Sequence, residues 1–559
     1  MSILRMKKTI IITAAFLLAG GYAAIASSKK SQDSAVGRNL TTFNAIVNEL
    51  QNNYVDSIAP DRAFEAAIGA LLETVDPYTE YYPADDQQML QTMTTGEFGG
   101  IGAYLMDRDS ATYISAPMKG SPAQLAGIRA GDKILRIDSL DVSRKPSADV
   151  TKVLRGKPNT QVRMRLLRPY AQDSIIDVTL TRALIQQPSV PLFTVIGNTG
   201  YIELTSFIKK SPAEVKAALE SFKADPAVKN IVLDLRGNGG GLVESAVDIL
   251  SYFLPKGTEV VRTKGREASS ERIYKTTRSP LFPDTPLAIL IDGGTASASE
   301  IVAGAIQDLD RGVLVGSRSF GKGLVQSTRP LPFNGMLKIT VAKYYTPSGR
   351  LIQALDYAHR NEDGSVSRIP DSLTNEFRTS HGRIMRDGGG LMPDSTIDWG
   401  KVNRLVYNLV RDNWTFDYAT RYAAEHPEIA PAGEFVVTDS LFDDFKSTID
   451  PTRFKYDRVM EDAVKTLRDI ATDEGYMGEE TTEAFDRLQA LLVHDLQHDL
   501  DMHRPEIEDY LGSEIVSRYY YDPGKSEYLL RTDKALKAAI DILESDKYQK
   551  LLKPVKTRK

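Results

Sequence analysis

Residues Asp292–Gln326 read DGGTASASEIVAGAIQDLDRGVLVGSRSFGKGLVQ, and the fold is decided in this stretch. It follows the apolar run Leu287–Ile291, which has the composition of a buried strand that ends at a Gly-rich turn. After the turn, apolar residues recur at helical spacing between Ile301 and Ile306. The pattern predicts a strand, a turn and a helix, with Ser297 at or just before the first helical residue.

Ser297 would stand where negative charge is stabilised. The first N–H groups of a helix have no intrahelical partner, and the helix dipole favours the charge that develops on a carbonyl oxygen under attack. These are the conditions that a serine nucleophile requires. The same residues, with Glu300 three positions after Ser297, are also typical of a helix capping box. The serine by itself therefore leaves a catalytic and a structural interpretation open.

A serine nucleophile also needs a base, and Lys322 is the candidate within this stretch. It lies between Gly321 and Gly323, which permit close backbone approach and unusual dihedral angles. An amine in an apolar pocket loses much of its preference for the charged form and can accept the serine proton. Gln326, four residues later, is placed to orient that amine. None of the six histidines lies in this stretch, although a Ser-His-Asp triad can assemble from distant segments.

The elements TASASEIVAGAIQD and FGKGLVQ resemble the C-terminal processing peptidases, also called tail-specific proteases, which are serine proteases with a Ser-Lys dyad. The resemblance implies that Ser297 is the nucleophile, Lys322 the general base and Gln326 the residue that orients the lysine. Thr295 replaces the first serine of the family pattern and leaves the nucleophile in place. Asp308 matches an acid of the family whose importance is structural.

A second glycine turn follows another strand candidate. Ile231–Leu235 is apolar at every position but one and leads directly into the turn Arg236–Gly241. By the resemblance, this turn supplies one backbone donor of the oxyanion hole, with Gly240 as our choice and Ala298 as the second donor. Gly239 stands where relatives carry proline, so the choice among the glycines stays open. A phosphate-binding loop is the alternative, but the turn lacks both the GK[ST] ending and the GxGxxG spacing.

Residues 96–182 have the alternation and turn spacing of a small β-rich domain and resemble a PDZ domain. The segments GSPA (residues 120–123) and AGDKI (residues 130–134) carry this resemblance. It implies that a peptide binds by strand addition and that a loop receives its terminal carboxylate. The residues of this loop are Phe98, Gly99, Gly100, Ile101 and Gly102. Arg155 aligns with an arginine that couples peptide binding to activation in some relatives, a solvated surface residue being the alternative.

Composition limits the classes of partner and chemistry. The 69 basic and 74 acidic residues give a net charge of −5 without a basic block before the C-terminal tail, which argues against nucleic acid. The absence of cysteine excludes a disulfide framework, a thiol nucleophile and a lipid-bearing N-terminal cysteine. It also fits an oxidising compartment.

The N-terminus predicts export. Arg5, Lys7 and Lys8 precede the uncharged run Thr9–Ser28, and Ala24–Ala26 forms a small-x-small cleavage pattern. The run is also long enough to remain as an uncleaved inner-membrane anchor. Both interpretations place the body of the protein in the periplasm or cell envelope.

Helices are expected at both ends of the mature chain. Two amphipathic helices separated by Pro60 are predicted within residues 39–72, and residues 402–559 have the helical spacing of a further domain. This domain would dock a partner, mediate oligomerisation or cover the active site. His494 and His498 stand one helical turn apart, as metal ligands do, but no third ligand is fixed by spacing. A solvated helix face is favoured, and neither a metal nor an organic cofactor is expected.

We therefore expect a multidomain α/β (α+β) protein, in which a β-rich PDZ domain precedes an α/β protease core of the ClpP/crotonase-like type. The expected divisions are a signal peptide or anchor (1–28), N-terminal helices (39–95), the PDZ domain (96–185), the Ser-Lys protease core (186–400) and a helical C-terminal domain (401–559).

The resemblance implies an exported serine endopeptidase that cleaves proteins selected by their C-terminal tails. Its expected partners are proteins or peptides with free C-termini, with an adaptor protein or a second copy of the chain as further candidates. The segment Tyr201–Thr205, or a neighbouring edge strand, is expected to pair with the substrate backbone. The alternative is a catalytically silent or adaptor-gated PDZ scaffold, against which the intact Ser297, Lys322 and Gln326 argue.

Overall fold

The computed structural model describes residues 35–172, 174–361, 363–401, 403–454, 459–492 and 495–553. The predicted signal peptide or anchor at residues 1–28 and His494 of the histidine pair lie outside these residues. Among the helices of the described ranges, none combines the length and the apolar character needed to cross a membrane. The chain divides into two compact units, Met1–Tyr81 and Tyr82–Lys559.

The first unit contains the two predicted N-terminal helices, α1 (Ala35–Asn53) and α2 (Pro60–Glu73). Pro60 is the first residue of α2, where a missing N–H costs nothing because that group has no intrahelical acceptor. The helices meet through Phe43 and Phe64, whose ring centroids are 6.0 Å apart at an interplanar angle of 63°. Neither helix has a fully buried residue, so this pair does not form a core of its own.

A β-rich domain occupies residues 97–186. Strand β1 (Glu80–Tyr82) and helix α3 (Gln87–Thr95) precede it. Its elements are β2 (Glu97–Gly100), β3 (Ala103–Arg108), β4 (Ala111–Pro117), α4 (Pro122–Leu125), β5 (Lys133–Ile137), β6 (Leu140–Asp141), α5 (Ser147–Leu154), β7 (Gln161–Leu167), β8 (Ile175–Thr181) and β9 (Ala183–Gln186). The strand order is β3-β4-β5-β7-β8, which makes β3 and β8 the edge strands, while β2 pairs with β9.

The next part of the chain, residues 192–396, is built mainly from strands. Its elements are β10 (Leu192–Ile196), β11 (Thr199–Glu203), α6 (Ser211–Ala224), β12 (Asn230–Asp234), α7 (Val243–Leu250), β13 (Glu259–Gly265), β14 (Arg272–Lys275), β15 (Leu287–Ile291), α8 (Ala298–Asp308), β16 (Val313–Gly316), β17 (Leu324–Pro330), β18 (Met336–Tyr345), β19 (Leu355–Arg360), β20 (Val366–Arg368), β21 (Glu376–Arg378), β22 (Ile384–Arg386) and β23 (Ser395–Thr396). Short 3-10 turns lie at Ala84–Asp86, Ala268–Ser270, Pro332–Asn334 and Asp371–Leu373.

Six of these strands form the core sheet, in the order β10-β11-β12-β15-β16-β23. Strand β10 is antiparallel to β11, and the remaining pairs are parallel. Helices α6, α7 and α8 pack on one face. All five residues of β12 and all five of β15 are buried, as their uninterrupted apolar runs predicted.

The core sheet corrects one expectation about the substrate. Strand β11 lies between β10 and β12 and is hydrogen-bonded on both sides. The backbone of Thr205, just beyond it, donates to the carbonyl of Ser189. The expectation that Tyr201–Thr205 pairs with the substrate backbone is therefore wrong, because this segment has no free edge.

A second, antiparallel sheet holds β17, β18, β13 and β14 beside the core sheet. The hairpin of β17 and β18 follows the predicted base Lys322 directly. Its register shifts between Val325 and Gln326, because the partner changes from Ala342 to Thr340 and Val341 of β18 is the extra residue of a bulge.

The remainder of the chain is helical, as predicted. Its helices are α9 (Arg404–Arg411), α10 (Trp414–Glu425), α11 (Asp439–Thr448), α12 (Val459–Asp473), α13 (Glu479–Leu491), α14 (Leu496–Met502), α15 (Arg504–Leu529), α16 (Lys534–Leu543) and α17 (Lys547–Leu551). Helices α9, α10, α11, α14 and α15 share one apolar core, and we call residues 404–529 the helical domain. Within α15, Tyr521 has a non-helical φ of 60° two residues before Pro523.

The last two helices belong to the protease core rather than to the helical domain. Leu536, Ala539, Ile542 and Leu543 of α16, with Tyr548 of α17, pack against the core sheet on the face opposite α6–α8. A parallel sheet needs cover on both faces, and α16 and α17 supply the second cover. The core is thus a three-layer α/β/α arrangement completed by the C-terminus.

Candidate active site

Ser297 lies on a strained turn between β15 and α8. It is the residue immediately before α8, as the sequence predicted, and its φ and ψ are 57° and −116°. Residues other than glycine rarely adopt a positive φ, and such strain is concentrated at functional sites. The N–H of Ala298, the first residue of α8, has no intrahelical acceptor.

Glu300 connects this turn to the loop that carries Lys322. Its side chain is fully buried. One carboxylate oxygen, Oε2, accepts the N–H of Ser297 and the N–H of Lys322, each at 2.9 Å. The other, Oε1, accepts the N–H of Gly321 at 2.8 Å and the hydroxyl of Ser319 at 2.6 Å. Glu300 is a capping residue, and the same carboxylate also fixes the lysine loop.

Burial and hydrogen bonding shift the pKa of this carboxyl group in opposite directions. Burial raises the pKa of Glu300 from its ordinary 4.5 to about 7, while the four donated hydrogen bonds oppose the rise. In the sequence, Glu300 is recognisable only as a possible cap. Its spacing from Ser297 gave that signal, but nothing in the pattern linked it to Lys322.

The structure brings the Ser297 and Lys322 segments together. Because their nitrogens share one oxygen, they lie no further apart than twice the 2.9 Å hydrogen-bond length. Gly321 has a φ of +87°, and a Cβ there would lie 2.5 Å from the Cβ of Ala354. Glycine is therefore required for the loop to pack this closely. Gln326 lies in β17, four residues after Lys322, and its amide nitrogen donates to the Thr340 hydroxyl at 3.1 Å.

The glycine turn, Arg236–Gly241, packs directly against the turn of Ser297. A Cβ on Gly240, whose φ is +99°, would lie 2.8 Å from both the Ser297 Cβ and the Ala298 nitrogen. The two predicted oxyanion donors, Gly240 and Ala298, are therefore neighbours. The N–H of Gly240, however, donates to the side-chain oxygen of Asn238 at 2.9 Å.

Asn238 is a residue whose role sequence reasoning missed. Its side-chain nitrogen donates to the carbonyl of Leu204 at 2.7 Å. Its own carbonyl accepts the N–H of Ala296 at 3.0 Å and the hydroxyl of Ser299 at 2.8 Å. Asn238 thus ties the glycine turn to both sides of the nucleophile. An asparagine between a strand and three glycines is the signal that was available.

Arg236 anchors the other end of the glycine turn. Its guanidinium lies between the carboxylates of Asp234 and Asp533, at 2.5 Å from each. Asp234 also accepts the hydroxyl of Tyr201 at 2.8 Å. These two carboxylates hold the pKa of Arg236 above its ordinary value in spite of burial, which acts in the opposite direction. Asp533 precedes α16, so the C-terminus contributes directly to this network.

Asp308 lies at the end of α8 and makes structural contacts there. At the end of α8 it forms a buried ion pair with Arg350, at 2.7 Å. It also accepts the N–H of Ser348 at 3.1 Å and its hydroxyl at 2.6 Å. The pair fixes the end of the helix that begins at the candidate nucleophile.

The predicted carboxylate-binding loop is shorter than expected. Phe98, Gly99 and Gly100 lie in β2 and pair with β9, which leaves Ile101 and Gly102 between β2 and β3. A Cβ on Gly99 would lie 2.1 Å from the carbonyl oxygen of Gly156, whose N–H donates to Gly99. Glycine at this position thus permits two backbones to meet.

Arg155 packs beside this loop rather than in solvent. Its guanidinium lies 5.4 Å from the ring centroid of Phe98. Its Nε is buried and has no hydrogen-bond partner among the described residues. Arg155 is therefore partly buried, and its coupling role stays a prediction. Across the described ranges, no group of three or more histidine, aspartate or glutamate side chains is placed to hold a metal ion.

Comparisons with known proteins cover the three main parts of the chain. Residues 198–357 match the model of peptidase family S41, residues 113–168 match that of the PDZ domain, and residues 405–543 match "Probable PDZ-protease, C-terminal helical domain".

Two curated relatives extend these matches over most of the chain. A carboxy-terminal-processing protease of Bartonella bacilliformis is 33% identical over 354 residues, which are 63% of this chain and 81% of that protein. A "Probable CtpA-like serine protease" of Staphylococcus aureus is 34% identical over 412 residues, 73% of this chain and 74% of that protein. Among solved structures, a photosystem II D1 C-terminal processing protease is 31% identical, covering 55% of this chain and 82% of that one, with a TM-score of 0.34.

Proposed function

Because the chain belongs to the carboxy-terminal processing proteases of peptidase family S41 and is a serine-type peptidase with a PDZ domain, we propose that it is an exported endopeptidase that uses a Ser297-Lys322 dyad to cleave proteins selected by their C-terminal tails. The observation that supports the dyad best is the Glu300 carboxylate, whose Oε2 holds the N–H groups of both residues. Export rests on the charged start and the apolar run within residues 1–28.

In the proposed mechanism, the Ser297 hydroxyl attacks the scissile carbonyl while the neutral Lys322 amine takes its proton. Collapse of the tetrahedral intermediate breaks the peptide bond, and the lysine returns this proton to the leaving amine. A water molecule then hydrolyses the acyl-enzyme, with Lys322 again acting as base. The amide nitrogen of Gln326 donates to the Thr340 hydroxyl, so the amide oxygen is the atom left to accept a hydrogen bond from the Lys322 amine. In this way Gln326 orients the amine.

The N–H groups of Ala298 and Gly240 form the proposed oxyanion hole. Each such donor contributes about 3 kcal/mol to transition-state stabilisation. Gly240 donates to the side-chain oxygen of Asn238, so the oxyanion would have to draw this N–H away from the asparagine side chain. Asn238 keeps the donor in the correct part of the turn until substrate arrives.

The PDZ domain selects the substrate in this proposal. A tail with a free C-terminus is added antiparallel to β3, an edge strand, and its carboxylate meets the N–H groups of the short Ile101–Gly102 connection. Arg155, stacked on Phe98 beside this connection, is placed to transmit occupancy. An adaptor protein, a second copy of the chain and membrane anchoring by the N-terminal segment remain proposed partners and associations.

The test is cleavage of an unfolded protein with an apolar C-terminus by the purified full chain. Ser297→Ala and Lys322→Ala should abolish cleavage while their melting temperatures stay near that of the wild type. Lys216→Ala is the matched control, because Lys216 lies on the exposed face of α6 in an i,i+4 pair with Glu220. Undiminished cleavage by either dyad variant would exclude the dyad. A silent wild type that still binds the tail would instead favour the adaptor-gated or scaffold alternative.

A further inference from the structure

A pocket of about 330 Å³ lies between the PDZ domain and the helical domain. The PDZ domain contributes Arg108 and Tyr170 to its wall, and the helical domain contributes Trp414, Asp417, Arg421 and Arg453. The proposed catalysis does not use any of these residues. The pocket therefore needs an explanation of its own.

The pocket begins at one end of the edge strand β3. Arg108 is the last residue of β3, and its guanidinium makes two hydrogen bonds to the Asp417 carboxylate, at 2.5 and 2.8 Å. Ala103 and Leu105 of the same strand pack into the PDZ core. Because side chains alternate along a strand, Arg108 belongs to the opposite face, which meets the helical domain.

A second contact supports this placement of the β3 outer face. Tyr104, on the same face of β3 as Arg108, lies beside Asp522 of α15. Burial, together with this carboxylate, raises the pKa of Tyr104 to about 12. The helical domain thus contacts the outer face of β3 at Tyr104 and at Arg108, and the pocket lies at the Arg108 end.

A tail bound in the proposed manner would reach this end. Its carboxylate lies at Ile101–Gly102, and its backbone runs antiparallel to β3 toward Arg108. Since β3 has six residues and paired strands advance one residue for one residue, the tail residue opposite Arg108 is about five or six positions before the terminus. Residues directly opposite each other in an antiparallel pair project to the same face, with Cβ atoms about 5 Å apart. That side chain therefore enters the pocket.

The charges in the pocket indicate which side chain fits. Arg108 is paired with Asp417, and Arg421 is paired with Asp444 outside the pocket. The second carboxylate of the wall, Asp412, is paired with Arg411 outside the pocket. Arg453 lies 5.9 Å from the ring centroid of Trp414 and forms no ion pair among the described residues, and Asp450, whose pKa its charge helps to lower, lies outside the pocket wall. One guanidinium is thus left for a ligand, beside an aromatic ring that holds it in place.

We propose that the pocket between the PDZ domain and the helical domain is a specificity subsite. It binds an acidic side chain about five or six residues before the C-terminus of the substrate. The inference rests on the proposed binding of tails by the PDZ domain. It adds a requirement that the PDZ groove alone does not impose, because the helical domain supplies Trp414 and Arg453.

The test is peptide binding to the full chain carrying Ser297→Ala, which prevents cleavage during the measurement. Fluorescent ten-residue peptides with one apolar C-terminus carry glutamate, glutamine or lysine at each position from the fourth to the seventh before the end. We expect glutamate at the fifth or sixth position to tighten binding about three- to tenfold over glutamine, the range of a partly exposed charge-assisted contact. A four-residue peptide with the same end, which is too short to reach Arg108, gives the affinity of the carboxylate site alone.

Charge reversal separates the possible outcomes. Arg453→Glu should remove the preference for glutamate and create one for lysine, without changing the affinity of the four-residue peptide. Arg487→Glu, an exposed arginine on α13, is the matched control for net charge. A glutamate preference that survives Arg453→Glu, or long peptides that bind alike at every position, would overturn the subsite and leave tail binding intact. If neither the long nor the four-residue peptides bind, the proposed tail recognition itself fails, and the subsite with it.

Discussion

Glu300 satisfies four donors with one buried carboxylate, three of them backbone N–H groups. Glu300→Gln replaces one oxygen with an amide nitrogen that cannot accept. Whichever way the amide is turned, the N–H of Gly321, or those of Ser297 and Lys322, would face another donor. A buried N–H without a partner costs about 1–3 kcal/mol, so we expect the melting temperature and kcat both to fall.

The matched control for this substitution is Ser299→Ala on the same helix. Ser299 donates to the Asn238 carbonyl, which keeps the N–H of Ala296 when the hydroxyl is removed. Its loss of stability and activity should be the smaller of the two. Thermal unfolding and steady-state kinetics on both variants decide the matter, and equal effects would show that the Glu300 carboxylate has no special role.

The pH dependence of stability also depends on Glu300. Its pKa is about 7 in the folded protein and near 4.5 when exposed. Between these values the folded state binds the extra proton, so this group contributes stability below pH 4.5 that is lost as the pH rises through 7. Each pKa unit corresponds to about 1.4 kcal/mol. The stability gap between wild type and Glu300→Gln, which cannot titrate, should narrow between pH 5 and pH 8 in urea unfolding. A constant gap would contradict the raised pKa.

At the same scale, the sequence indicated the candidate dyad but not its support. Ser297 and Lys322 carry local patterns, a helix start and a lysine between glycines. Their link is the Glu300 carboxylate, which accepts a hydrogen bond from the N–H of Lys322, 22 residues away. The Asn238 bond to Leu204 spans 34 residues. Such bonds leave no periodic trace, because any polar residue near a turn has the same local pattern.

At the scale of elements, α16 has two roles that one residue, Asp533, combines. Its carboxylate caps the helix by accepting the N–H of Leu536 at 2.9 Å, and it holds Arg236 at the head of the glycine turn. Asp533→Ser keeps a capping oxygen but removes the charge, whereas Asp533→Ala removes both. We expect Ala to destabilise the protein by about 1 kcal/mol more than Ser.

Catalysis should distinguish these roles. If Arg236 positions the glycine turn through Asp533, both variants should lower kcat to a similar degree, because both leave Arg236 with Asp234 alone. Unfolding and kinetic measurements on the same preparations test this. Wild-type kcat in Asp533→Ser would show that the contact between α16 and the turn is structural only.

The strands with a clear apolar pattern could be predicted from the sequence, but the elements that they contact in the folded protein could not. Strand β15 has the predicted bounds and β12 is shifted by one residue, because a strand buried on both faces reads as an unbroken apolar run. The loop at Phe98–Gly100 was predicted from its glycines but is a strand, since Gly99 serves a close backbone contact with Gly156. The sequence could not place α16 either, because Asp533 and Arg236 are 297 residues apart.

For the whole molecule, the C-terminus should be indispensable to the protease core. Helices α16 and α17 bury Leu536, Ile542 and Leu543 against the core sheet, among other apolar residues. At about 2–3 kcal/mol for each large side chain, these three alone approach the 5–15 kcal/mol of a typical folded domain. A chain that ends at Thr532 should therefore be insoluble, or bind a hydrophobic dye and lose its near-ultraviolet circular dichroism, although every proposed catalytic residue is still present.

Point variants on α16 show whether the truncated chain fails because the core sheet loses its apolar cover or because the chain is shorter. Leu536→Asp places a charge against the core sheet, where Leu536 is 2% exposed, and should reproduce much of the defect. Lys537, the next residue of α16, is exposed. Lys537→Asp therefore changes the charge of the helix without contacting the sheet, and this variant should fold normally. A truncated chain that still cleaves, or a Leu536→Asp protein with an unchanged melting temperature, would mean that the sheet is stable with one face open. The expected result would show that α16 and α17, which follow the helical domain, form the second helical layer of the protease core.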